Sequence, residues 1–152
     1  MNLPLVLGII TLILVINFVL FKFVFGKIKK MQAVGIKKSE EDLFGKEIKY
    51  GEERANFFGQ KSLGMAQVRG NGIFCITEDE IYFRMLMPSR AFRFPIKNVK
   101  SVETVKSFLG KTKFVPLLKV NFVNEQGEPD SVAFLLRNMS AAQEAIGIKS
   151  DL

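Results

Sequence analysis

Histidine and tryptophan are missing from this 152-residue chain, and cysteine occurs once. Each absence removes a class of chemistry. Without His there is no general base poised near neutral pH, and so no Ser-His or Cys-His nucleophile. A single Cys closes no intramolecular disulfide, and with no His to join it makes no Cys/His zinc site. That thiol, Cys75, falls between Phe74 and Ile76 in an apolar run. This is the setting of an inert core thiol; a reactive one wants exposure and a cationic neighbour. The length admits one folded domain and an appendage. The composition suits binding or structure rather than catalysis, and we assign no catalytic, cofactor-binding or metal-ligating residue. An enzyme built on Asp, Glu, Lys or Tyr is the minor reading, and it requires a deep pocket holding two such groups.

Charge is also missing from Leu3 to Phe21, a run of 19 uncharged residues in which only Thr11 and Asn17 carry polar side chains. A helix rises about 1.5 Å per residue and a hydrocarbon core is about 30 Å thick, so this run is long enough to span. Lys22 interrupts it, but a Lys near a helix end snorkels to the headgroups, and Phe23, Val24 and Phe25 continue the apolar surface. We place a transmembrane helix over residues 1–26. A cleaved signal peptide would show a basic start, a shorter core and small residues at the cleavage site. A buried core helix would not be apolar on every side.

The segment after the run is basic. Lys22, Lys27, Lys29, Lys30, Lys37 and Lys38 stand within residues 22–38 with no acid among them, and they supply +6 of the net charge of +7. The positive-inside rule then predicts a single-pass protein with its N-terminus outside and its C-terminal domain in the cytoplasm. These membrane-proximal lysines also attract anionic lipid. Residues 39–152 carry a net +1 only, so the basicity belongs to the membrane segment and nucleic acid is not an expected partner.

Residues 27–50 read as a basic juxtamembrane segment and connector. Ser39 followed by Glu40-Glu41-Asp42 has the form of a helix start with Ser39 as N-cap, and Gly45 ends that turn. Residues 51–152 read as one β domain. Ile81, Phe83 and Met85 alternate with Tyr82 and Arg84, and Phe92, Phe94 and Ile96 with Arg93 and Pro95. Leu118, Val120 and Phe122 alternate with Lys119 and Asn121, while Val132, Phe134 and Leu136 share one face of the next segment. Such alternation marks half-buried antiparallel strands. Turns are expected at Gly70-Asn71-Gly72, Glu78-Asp79, Met87-Pro88-Ser89 and Asn124-Glu125-Gln126-Gly127. Pro95 and Pro116 belong at strand ends or edges. Ser140-Ala141-Ala142-Gln143 has capping-box form, and Gly147 closes a short helix whose Ala142, Ala145 and Ile146 face a barrel end.

The stretch Gly72-Ile73-Phe74-Cys75-Ile76-Thr77-Glu78-Asp79-Glu80-Ile81-Tyr82-Phe83, with Phe94-Pro95-Ile96-Lys97-Asn98-Val99-Lys100-Ser101-Val102-Glu103 after it, resembles the core of GRAM and bacterial PH-like domains. In that superfamily a strand ending in an apolar-Thr pair turns into an aromatic strand, and an Ile-Pro-apolar segment with spaced valines comes next. The resemblance implies a mainly β fold: a partly open antiparallel barrel of about seven strands with a C-terminal helix over one end. This sequence departs from it in that its C-terminal helix is shorter than the family usually shows. Lipid-binding members use basic residues in an early loop. Here residues 52–70 hold only Arg54, Lys61 and Arg69, so no lipid site is carried over.

Charge within the domain is segregated. Arg84, Arg90, Arg93, Lys97, Lys100, Lys106, Lys111, Lys113 and Lys119 face Glu103 alone between residues 81 and 119, whereas 39–80 sum to −4 and 120–152 to −3. If those strands are neighbours, the nine cations form a face for an anionic partner; if acidic strands interleave, the field cancels. Gly110-Lys111-Thr112 lacks the upstream Gly and the helix of a phosphate loop. Glu78, Asp79 and Glu80 read as acids of a solvated turn in preference to a weak divalent-cation site. The leading expectation is a non-enzymatic binding or adaptor module held at the cytoplasmic membrane face and docking a protein. The alternative is recognition of anionic lipid headgroups by the 84–119 face and the juxtamembrane lysines.

Overall fold

In the computed structural model, which describes residues 3–147, the uncharged N-terminal run is helical. Helix α1 covers Leu3–Asp42. The chain divides within it into two units, Met1–Val34 and Gly35–Leu152. In the first unit, Leu7, Leu14, Phe18, Phe21 and Phe23 are each 55% exposed or more, and no part of the apolar window is buried. Water would penalise such a surface, and lipid would not. The two polar side chains in the run are already satisfied. Thr11 Oγ1 donates to Leu7 O at 2.9 Å and Asn17 Nδ2 to Ile13 O at 2.8 Å, so neither presents an unpaired donor to hydrocarbon. Lys22, Lys27 and Lys29 lie over the rings of Phe18, Phe23 and Phe25. This helix is long and apolar enough to cross a membrane.

The helix does not stop near Phe25 as the apolar pattern does. Residues 27–42 hold five Lys and two Glu with one each of Ala, Met and Gln, all of which favour helix, and no Pro interrupts them. Ser39 is therefore not an N-cap. It lies inside α1, with its hydroxyl donating to Gly35 O at 2.9 Å. The helix ends in the turn that carries Gly45, whose φ of +77° suits glycine.

The second unit is mainly β. Its seven strands are β1 Ile48–Gln60, β2 Gly70–Thr77, β3 Glu80–Met85, β4 Arg90–Pro95, β5 Val99–Phe108, β6 Lys111–Val123 and β7 Pro129–Leu135, and helix α2 Met139–Ile146 closes the unit. They form one antiparallel sheet in the order β4-β3-β2-β1-β7-β6-β5, curled into a half-barrel. The long β1 makes the curl possible. It pairs with β2 along most of its length and with β7 along its last residues, and the register shifts at Ile48/Tyr50, Glu52/Ala55 and Phe57/Gly59. Each bulge bends the strand and increases its twist.

The alternation expected of the strands puts phenylalanine on the concave face. Phe57, Phe74, Phe83, Phe92, Phe94, Phe122 and Phe134 are all buried. Phe134 stands at the centre of this group, with ring centroids 4.9 to 6.1 Å from Phe74, Phe57, Phe83 and Phe94. Phe94 on β4 meets Phe122 on β6 at 5.0 Å, so side chains close the gap that no strand ladder bridges. Ala142 and Ile146 of α2 join the same core.

Three local expectations change. Gly70-Asn71-Gly72 opens β2 rather than making a turn. A Cβ at Gly72 would lie 2.2 Å from Arg84 O and 2.5 Å from Phe83 Cζ, so glycine serves close strand approach there. Pro116 lies within β6, not at its end. It occupies the bulge that separates the pair Ser107/Thr112 from Val105/Leu117, where the ladder is already broken. The cap of α2 is Asn138, whose Oδ1 accepts from Ala141 N at 3.1 Å, while Ser140 donates its hydroxyl to that same oxygen. Gly147 has the left-handed φ of a C-terminal cap.

Phe134→Ala is expected to cost about 3–5 kcal/mol, because a cavity opens among four facing rings. Chemical denaturation of the full chain in detergent, monitored by near-UV circular dichroism, measures it.

Candidate functional site

On the convex face of the sheet, strand alternation places Ile73 and Cys75 of β2 beside Tyr82 and Arg84 of β3 and Arg93 of β4. A charged network forms here. Asp42, the last residue of α1, accepts hydrogen bonds from the Tyr82 hydroxyl at 2.6 Å and from Arg84. Arg84 Nε donates to the Tyr82 oxygen at 2.8 Å, which closes a three-membered ring of contacts. Arg93 lies 3.8 Å from the same carboxylate, and its other nitrogen donates to Glu80 at 2.6 Å. Lys46 donates to that Glu80 oxygen at 2.7 Å. Glu80 is thus a buried, ion-paired residue opening β3 and not the solvated turn acid expected from its neighbours Glu78 and Asp79. Asp42 lies beyond the apolar run. The Tyr82 hydrogen bond, joined by Arg84 and Arg93 against the cost of burial, holds its carboxyl below the usual carboxylate range. Burial, joined by the hydrogen bond to Asp42, pushes the Tyr82 hydroxyl up. Leu43, Ile73, Cys75 and Tyr82 pack beneath the network, and burial raises the Cys75 thiol to about 11, so it is protonated at neutral pH.

The nine cations singled out in residues 84–119 do not stand together as one set. Strands β3 and β4 end one side of the sheet order, and β6 and β5 end the other. Arg84 and Arg93 are committed to Asp42 and Glu80, and Lys119 to Glu103 at 3.3 Å. Arg90 stacks over Phe92 with its guanidinium carbon 4.8 Å from the ring centroid. Lys97 sits on the 3₁₀ turn Ile96–Asn98 and Lys100 on β5, both exposed. Lys106, Lys111 and Lys113 surround the β5–β6 turn. They are exposed and make no ion pair among the described residues. Gly110-Lys111-Thr112 lies in that hairpin, between strands rather than before a helix.

Beside β4 the half-barrel stays open. A cleft of about 420 Å³ runs between Arg90–Pro95 and the β6–β7 turn, with Gln60, Ser62 and Leu63 forming its wall. That wall is held by a carboxylate that sequence patterning did not reveal. Asp130, 5% exposed, accepts from Ser62 N at 3.0 Å, from Ser62 Oγ, from Gln60 Nε2 at 2.7 Å and from Ser131 N at 2.7 Å. Burial alone would raise its pKa, but these hydrogen bonds outweigh it and hold the carboxyl below its ordinary value. Among the described residues, no three Cys, Asp or Glu side chains converge as a cation site.

Two consequences are testable. Asp42→Ala leaves Arg84 and Tyr82 short of their acceptor and is expected to destabilise the domain by about 1.5–3 kcal/mol. In a double-mutant cycle with Arg84→Met the losses will not add. Asp130 has a depressed pKa when folded, so its contribution is full above the unfolded carboxylate range and is lost as pH falls through the folded value. Asp130→Asn is therefore expected to flatten the acid limb of stability against pH, read from denaturation midpoints between pH 7 and pH 3.

No family model matches the chain, and neither does any curated protein. Among solved structures it is similar to the crystal structure of the C-terminal domain of an unknown protein from Leishmania infantum. The two are 18% identical, with 73% of this chain and 94% of that one covered, at a TM-score of 0.48.

Proposed function

We propose that this chain is a single-pass, membrane-tethered binding module that docks a protein partner along strand β4 and performs no catalysis. The observation that carries the reading is the open side of the half-barrel. β4 ends the strand order, so among the described residues one row of its backbone N–H and C=O groups has no strand partner, and the cleft of about 420 Å³ lies directly beside it. An extended segment of a partner fits such an edge by adding a strand, with side-chain selectivity supplied by the cleft. The apolar helix supports the tether, which raises the effective concentration of the domain near other membrane proteins and lets weak contacts suffice. The six lysines after the apolar run support a cytoplasmic β domain with the N-terminus outside. Strand number, the closing helix and the residues of the Gly72–Phe83 and Phe94–Glu103 stretches support membership of the PH-like superfamily.

Photo-crosslinking in native membranes tests the docking surface. A photoreactive residue in place of exposed Ala91 on β4 is expected to capture one discrete protein, and the same residue in place of exposed Glu53 on β1 is not. Equal labelling from both positions, or none from position 91, overturns the reading. Alkaline carbonate is expected to leave the chain with the membrane, and protease added outside intact cells to spare the β domain.

A further inference from the structure

The β5–β6 hairpin carries a surface that neither the fold nor the cleft explains. Its two turn residues, Leu109 and Gly110, both have positive φ, +51° and +71°. A two-residue turn of that kind favours Asn, Asp or Gly at both places, because a side chain such as that of Leu is strained there. Five residues beyond Leu109, Phe114 also has a positive φ, +60°, and its surface is 95% exposed. Val115 is 42% exposed and Leu109 38%. Thr112 holds this arrangement: its hydroxyl donates to Lys106 O at 2.7 Å and accepts from Phe114 N at 3.0 Å. Two apolar side chains thus occupy costly backbone positions, and one of them contributes almost nothing to packing. Around them stand Lys106, Lys111 and Lys113, all exposed and without an ion pair among the described residues. The sequence holds no acid between Glu103 and Glu125.

We propose that the tip of the β5–β6 hairpin inserts into an anionic bilayer surface, with Phe114 and Leu109 entering the acyl boundary and the three lysines holding lipid phosphates and carboxylates. Charge complementarity selects the occupant. An anionic bilayer matches both parts of the tip at once, its headgroups taking the three ammonium groups and its acyl boundary taking Phe114 and Leu109. The chain already carries a helix able to anchor it, so the tip needs only a weak intrinsic affinity to act. This contact is separate from the docking edge on β4 and uses different residues.

The test places an environment-sensitive fluorophore at position 114 by Phe114→Cys in a Cys75→Ala background of the full chain. The labelled protein is reconstituted in nanodiscs of phosphatidylcholine alone or mixed with phosphatidylglycerol, with no other protein present. A chain that stays outside the discs is mixed with vesicles of the same two compositions and read in the same way, so failure of the anchor and failure of the tip are distinguished. Blue-shifted emission, quenched by spin-labelled lipid, is expected in the anionic bilayer only. Replacing Lys106, Lys111 and Lys113 together by Gln is expected to lower the insertion equilibrium roughly 100-fold, from the contribution of each Lys near an anionic surface. Leu109→Asn suits the turn and preserves the hairpin; with the label at position 114 it is expected to weaken insertion while leaving the denaturation midpoint unchanged or higher. Emission at position 114 that matches a label at Glu53, or that is the same in neutral and anionic bilayers, overturns the proposal.

Discussion

The carboxylate of Asp42 sits where a 40-residue helix ends and the convex face of a sheet begins. It takes hydrogen bonds from Tyr82 and Arg84, and Arg93 approaches it from the next strand. These are charge-assisted contacts in a half-buried place, where the dielectric is lower than in water and a removed partner leaves the others unsatisfied. The side chains at risk are large: Tyr82 is fully buried, and only 12% of the Arg84 side chain is exposed. The last turns of α1 are thereby fixed to β3, and Leu43 covers Ile73 and Cys75. Gly35 faces the end of the Leu86 side chain, whose Cδ2 would lie 2.2 Å from a Cβ there. A sheet that would otherwise offer an apolar convex patch to solvent is covered on this side by the end of its own preceding helix.

The concave side is organised differently and depends on rings rather than on charge. Phe57 stacks on Phe92 at 4.4 Å, and Phe134 touches four other rings. Closure across the open side therefore comes from side-chain packing, with Phe94 against Phe122, and not from a hydrogen-bonded ladder. That distinction matters for function. Packing fills the interior with apolar side chains, while among the described residues the backbone of β4 remains without a second strand neighbour. The features that stay open to solvent lie at the rim and the edges, the β4 cleft and the β5–β6 tip among them.

The cations illustrate how the same residues change meaning once folded. In the linear chain, nine positives against one acid look like a single field. In the sheet, Arg84 and Arg93 are neutralised by acids from the end of α1 and the start of β3, and Asp42 is some 40 positions distant in sequence. Lys119 meets Glu103 across a strand pair. The exposed lysines around the β5–β6 turn flank Leu109 and Phe114, and the presence of apolar residues among them gives that hairpin its amphipathic character.

The apolar run, the strand periods, the turns at Glu78-Asp79, Met87-Pro88-Ser89 and Asn124–Gly127, the inert setting of Cys75 and the closing helix were legible because each rests on local pattern: unbroken hydropathy, period 2, or a turn residue at its place. The reach of α1 to Asp42 was not, since Ser39 in a helix interior and Ser39 as a cap read alike without knowing where its hydroxyl donates. Gly70-Asn71-Gly72 carries turn residues, and only the Phe83 ring and Arg84 carbonyl pressed against Gly72 explain them as strand. Asp130, bonded to residues some 70 positions earlier, and Asp42, bonded 40 positions ahead, have no local signature at all. Long-range pairing of charges and close approach of backbones are decided by which strands become neighbours, and that order exists only in the folded sheet.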